Sequence, residues 1–122
     1  MINIQMVLPE GLMKLGSRAF EGCSSLQSIL VPPMIQVINQ ETFRECSGLT
    51  KVILPRNLQR INRFAFFLYE SLPSIDLPPA LKVVESFAFH QTGLTELNLP
   101  DSVEERGSFY ISKSPIFVCH RL

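Results

Sequence analysis

The sequence contains no tryptophan, only two histidines and three cysteines among 122 residues, and no surplus of either charge, with eleven basic and eleven acidic side chains. Each shortage removes a class of function. Without a basic surplus, nothing supplies the charge footprint that phosphate backbones demand, so nucleic acid is not an expected partner. His90 and His120 are far apart in sequence, with no Cys, His or Asp at ligand spacing, and no metal site is predicted. The glycines, Gly11, Gly16, Gly22, Gly48, Gly93 and Gly107, are scattered turn residues and form no phosphate-binding loop, so no cofactor is expected. Catalysis has equally little to stand on. No nucleophile has a positioned base, and Glu104 and Glu105, being adjacent, point to opposite sides of an extended chain.

Long apolar runs are also lacking. The longest, Ile29 to Ile35, is interrupted by Pro32 and Pro33 and falls short of the roughly 20 residues that span a bilayer, so no membrane insertion is predicted. The opening Met1-Ile2-Asn3-Ile4-Gln5 carries no basic segment followed by an apolar one. The chain as written is therefore expected in the cytoplasm, and at the cell surface or secreted if it is a fragment of a longer protein with an export signal upstream.

What is present is repetition. With 46% hydrophobic and 18% charged residues the composition is that of one globular domain, residues 1–122. Leu49, Val52, Leu54, Pro55, Leu58, Ile61, Ala65 and Phe66 recur twenty-three residues earlier as Leu26, Ile29, Val31, Pro32, Ile35, Ile38, Thr42 and Phe43. They recur again, twenty-three residues later, as Leu72, Ile75, Leu77, Pro78, Leu81, Val84, Ala88 and Phe89. Partial copies occupy both ends. A fixed period of this length marks a solenoid, in which no repeat can bury its apolar side alone and like positions stack over like positions.

Within each copy the alternation Ile29-x-Val31 or Val52-x-Leu54 predicts a short strand whose alternate residues face the core, closed by a proline that cannot donate to a ladder. A crossover back to the same edge makes successive strands parallel. Gly16, Asn39 and Asn62 recur seven positions after proline and are expected to form a corner in left-handed backbone. A second short extended piece near Ile38 or Ile61 and one helical turn near Ala65-Phe66 complete the rung. Arg18 over Glu41 and Glu21 over Arg44 are predicted as exposed vertical ion pairs. Cys23 and Cys46 share one register position about 4.8 Å apart, within the range a disulfide tolerates, but are expected to pack as free thiols because their side chains point the same way.

The pattern Leu12-x-x-Leu15-Gly16-x-x-Ala19-Phe20-x-x-Cys23-x-x-Leu26-x-x-Ile29 resembles the BspA-like leucine-rich repeat family over nearly all of the chain. The resemblance implies a right-handed solenoid of about five rungs of roughly 23 residues, with a parallel β-sheet on one face and short extended or turn segments on the other. It also implies a protein-binding role, since many members are surface or secreted proteins. Departures from the pattern gather late in the chain. Tyr69 and Thr92 replace the cysteine, Arg106 stands where Ile38, Ile61 and Val84 do, and Arg121 falls in the register of Leu77 and Leu99. The last rung, about residues 100–122, reads either as a polar cap or as a degenerate or truncated repeat. The opening strand has no capping element in the sequence, and an uncovered edge invites end-to-end self-association.

Candidate binding residues are those between core positions on each strand. They form two outward rows: Gln5, Ser28, Lys51, Ser74 and Glu96, and Val7, Leu30, Ile53, Asp76 and Asn98. Leu30 and Ile53 give an exposed apolar strip beside polar neighbours, and although wet strand residues are often Val, Leu or Ile, a contact surface for a protein partner is the reading carried forward. A second cluster replaces charge by aromatic surface. Phe64 and Phe87 occupy the register of Arg18 and Glu41, and Phe67 that of Glu21 and Arg44, followed by Leu68 and Tyr69. Mutual shielding by stacked rings is expected there, the alternative being a partner that covers them.

Overall fold

The computed structural model describes residues 4–67, 74–89, 94, 96–107 and 117–120, with the backbone alone at 4, 5, 96 and 117–120. Leu68, Tyr69, Leu72, His90, Thr92, Tyr110, Ile116 and Arg121 lie outside them. A full rung, such as residues 26–46, runs from a front strand through a proline turn and a back strand to a corner. The front strands are β1 (Ile4–Met6), β2 (Leu26–Leu30), β4 (Lys51–Ile53), β7 (Glu96–Leu99) and β9 (Phe117–His120). The back strands are β3 (Val37–Ile38), β5 (Arg60–Ile61), β6 (Val83–Val84) and β8 (Glu105–Arg106). Every pairing is parallel. Among the described residues there is no helix, and so none long and apolar enough to cross a membrane.

The register follows the repeat. Ile29 pairs with Val52 and Leu30 with Ile53 on the front, while Ile38, Ile61, Val84 and Arg106 align on the back. Alternation on β2 and β4 buries Ile29 and Val52 and leaves Leu30 and Ile53 outside. The core is a set of stacked columns, of which the phenylalanines form the largest. Phe20, Phe43, Phe66 and Phe89 stack face to face with centroids 5.5, 5.4 and 5.2 Å apart. Phe43, Phe66 and Phe89 are fully buried. Covering an aromatic ring of this size stabilises by about 1.5–3 kcal/mol, so this column is a leading contribution to the fold.

The two ladders differ in continuity. The back sheet runs unbroken through β3, β5, β6 and β8, whereas the front divides into β1-β2-β4 and β7-β9. Among the described residues, 74–78 join no ladder, although Ile75 is buried in the core column as expected. The Thr50 N–H donates to the Gln27 carbonyl at 3.0 Å in the rung before; Pro73, which follows in that sequence register, lies outside the described residues. The terminal front strand also corrects the predicted register. Leu97 pairs with Val118 and Leu99 with His120, not with Arg121, so the step shortens to twenty-one residues and Cys119 aligns with Asn98.

The corner is built differently from the prediction. Left-handed backbone falls at Arg18, Glu41, Phe64 and Phe87, with φ between 55° and 61°, and again at Gly22 and Glu45, not at Gly16, Asn39 or Asn62. Alternation of conformation lets alternate N–H groups serve two purposes. Those of Ala19, Glu21 and Cys23 close turns onto Gly16, Arg18 and Phe20 within the rung. Those of Arg18, Phe20 and Gly22 donate to Gln40, Thr42 and Arg44 in the next. A helical run would close every N–H inside its own rung, and so the predicted helical turn at Ala65-Phe66 is instead a series of turns. Satisfying the inter-rung bonds offsets a left-handed cost of about 1–2 kcal/mol at each non-glycine residue. Asn39 ties two rungs together by another route, its side-chain amide donating to the Leu15 carbonyl of the rung before.

Neither Cys23 nor Cys46 is in a disulfide. Cys46 is buried and its thiol donates to the Phe20 carbonyl at 2.9 Å, while Cys23 is half-buried.

Candidate functional site

Three surfaces differ from ordinary solvated exterior. The first is the front face. Gln5, Ser28 and Lys51 are register partners, as are Leu30 and Ile53, so the first predicted row is a column over the first three rungs and the second over the second and third. Val7, Leu30 and Ile53 are 87%, 56% and 46% exposed. Lys51 is exposed beside them and Ser28 is half-buried. Above the ladder break the same rows continue with the exposed residues Ser74, Asp76 and Asn98 and, on β7, with the backbone of Glu96. The apolar strip thus belongs to the β1-β2-β4 sheet, and the polar end of each row to the other side of the break.

The second surface is a groove on the flank, past the prolines that end the front strands. Met13, Lys14, Pro33, Met34, Gln36 and Asn57 are among the residues around its volume of about 500 Å³. Met13 is 69% and Met34 50% exposed. Sequence reading missed both, although comparing columns would have found them: Met13 shares its register with Gln36, Gln59, Lys82 and Glu104, and Met34 with Gly11, Asn57, Ala80 and Ser102.

The third is the corner. In the first two rungs it is charged. Glu41 is nearly buried and accepts from Arg18 at 3.3 Å and from Arg44 at 2.6 Å, with Gln40 also donating to it. Its hydrogen bond from Arg44 holds the carboxyl below the usual carboxylate range, against the opposing push of burial. The Arg44 guanidinium is correspondingly raised, chiefly by Glu41. The predicted Glu21–Arg44 pair is replaced: Glu21 bonds Arg18 in its own rung, and Arg44 turns to Glu41 and Glu45. The Glu41 carboxylate, 6% exposed, lies between the two arginines, so the network is partly buried and not the exposed pair expected.

In the next two rungs the corner is aromatic. Phe64 stacks on Phe87 at 5.3 Å and meets Phe67 edge-on at 5.1 Å. Arg44 lies over the Phe67 ring and Arg63 over Phe64. All three rings are half-buried, so mutual shielding accounts for them, as expected. Leu68 and Tyr69 of that cluster fall outside the described residues. Among the described residues no three His, Cys, Asp or Glu side chains gather as metal ligands would.

A family model described as a BspA type leucine rich repeat region matches residues 3–116 in six copies. Among solved structures, a leucine-rich repeat protein of T. pallidum matches with a TM-score of 0.87 and 32% identity, covering 98% of this chain and 59% of that one. A leucine-rich repeat protein from Bacteroides ovatus gives 0.66 and 28% identity, over 75% of this chain and 24% of that one. A leucine rich cell surface protein from Faecalibacterium prausnitzii, at 23% identity, shares the fold with a TM-score of 0.65, over 97% and 38%. The chain therefore spans about three fifths of the T. pallidum structure and less of the other two. No curated protein matches it.

Proposed function

The chain belongs to the family of BspA-type leucine-rich repeat proteins, and on that premise we propose that it is a non-enzymatic module that binds another protein through its front sheet face. The observation that carries this reading is the register pair Leu30 and Ile53, exposed to water on the front ladder, with Val7 exposed just past the end of β1. Covering side chains that are half exposed recovers about 1 kcal/mol apiece, so Leu30 and Ile53 serve as the anchor, with Lys51 and Asp76 fixing orientation at its rim. Ser28, Ser74 and Asn98 complete the polar surround, and Glu96 follows in the same row by sequence.

The test is capture of a partner by the immobilised chain, followed by titration with that partner in pure form. Leu30→Asp combined with Ile53→Asp is expected to weaken binding about 30- to 100-fold while circular dichroism stays unchanged. Undiminished binding by the folded double variant rejects the front face. A second reading is favoured by the share of its relatives that the chain spans, 59% of one and 38% of another. In it the chain is part of a longer surface or secreted array with a mainly structural role, stacking end to end on neighbouring repeats. Strictly monomeric sedimentation across a dilution series, together with cooperative unfolding, argues against that reading.

A further inference from the structure

We propose that the flank groove is a second binding site, which takes an extended polypeptide segment presenting an apolar side chain next to a carboxylate. It is distinct from the front face and stands whether or not that face binds. The argument begins with Met13 and Met34. Both are exposed, both lie outside the strands, and both replace polar or small residues in their columns. Neither core packing nor strand propensity therefore explains them, in contrast to Leu30 and Ile53. Methionine supplies an adaptable, polarisable surface that moulds itself to apolar side chains of varied shape.

The rim specifies the rest of the occupant. Lys14 is exposed beside Met13 and has no acidic partner among the described residues, so a carboxylate on the ligand meets an uncommitted cation. Gln36 and Asn57 are exposed and each offers an amide that both donates and accepts, which is what a peptide backbone in extended form requires. A volume of about 500 Å³ receives a side chain or two with their backbone, and no folded domain.

The probes are three fluorescein-labelled hexapeptides read by fluorescence anisotropy: Ser-Leu-Asp-Leu-Glu-Ser, the same peptide with lysine for both acids, and the same with serine for both leucines. The wild-type chain is expected to bind the first at least tenfold more tightly than the other two. Met34→Asp and, separately, Met13→Ser each reduce that binding tenfold or more, and Lys14→Glu reverses the preference toward the lysine peptide. The Leu30→Asp and Ile53→Asp double variant binds the first peptide as the wild type does, which separates a failure of the front face from a failure of the groove. Equal affinity for all three peptides, no binding at millimolar concentration, or indifference to Lys14→Glu overturns the proposal. So does a dimer in sedimentation that Met34→Asp dissolves, because a second copy is then the occupant.

Discussion

The corner of this solenoid is made twice from different chemistry. In the first two rungs Arg18, Glu41 and Arg44 bond one another, and in the next two Phe64, Phe67 and Phe87 stack, yet Arg18, Glu41, Phe64 and Phe87 share one left-handed conformation. Backbone geometry at this position is set by the bonds between rungs, not by the side chain that occupies it. The side chain decides instead how the exposed flank of the corner is held: by ion pairs, which depend on pH and salt, or mainly by ring stacking, with Arg44 and Arg63 over two of the rings.

The comparison breaks first at the column both halves share. Phe43→Ala and Phe66→Ala are each expected to cost about 3–5 kcal/mol in chemical denaturation, and to cost alike, because either removes a ring stacked on both faces. Unequal losses would mean that the outer corner contributes differently to the two halves. Next comes Phe64→Gly, which relieves a left-handed phenylalanine and removes its contacts with Phe67 and Phe87. Lost ring packing outweighs the relief, for a net destabilisation of about 2 kcal/mol by thermal melting.

In the charged half the effects are smaller. Glu41→Ala takes the shared acceptor from Arg18 and Arg44 and is expected to cost about 1–2 kcal/mol, discounted because Arg18 is largely in solvent. The same carboxylate gives the two halves different responses to acid. Since the folded-state pKa of Glu41 is depressed, its contribution is present above the ordinary carboxyl range and is lost as pH falls through the folded value. Hydrogen exchange from pH 6 down to pH 3 should therefore loosen the corner at 39–46 before that at 85–89, and Glu41→Gln should abolish the difference. The smallest effect has the opposite sign. Glu45→Gly places glycine where Gly22 already stands one rung earlier, in a residue with φ of 60°, and should stabilise by about 0.5 kcal/mol in a melting curve.

Period, strand direction, the phenylalanine column, the free cysteines and the outward rows could all be read from the sequence, because each follows from placing like residues over like. What stayed hidden arises where bonding departs from that rule. Glycine or asparagine normally marks left-handed backbone, but arginine, glutamate and phenylalanine occupy it here, and the asparagine at 39 makes a side-chain bond to Leu15 instead. Ile75 looks like any other strand residue, and only Pro73, two positions before it, hints that its ladder fails. Arg44 could have reached Glu21 or Glu41, and it pairs with Glu41 and Glu45 of its own rung. Of the candidate sites, the front strip was visible as an alternation, whereas the flank methionines emerge only when a column is read down through every rung.

The unladdered residues 74–78 have one more consequence. Between the third and fourth rungs the back strands and the corner remain tied by backbone hydrogen bonds, Lys82 to Gln59 and Phe66 to Ala88 among them, while on the front no ladder joins the described residues and packing presses the rungs together. A stack fastened on two sides and merely pressed together on the third behaves like a book: it opens at the loose edge and pivots on the bound ones. Because 74–78 pair with neither β4 nor β7, the loose edge runs from Ile53 past Asp76 to Asn98, where the apolar strip gives way to polar residues, and it is there that the curvature offered to a visitor on that face is adjustable.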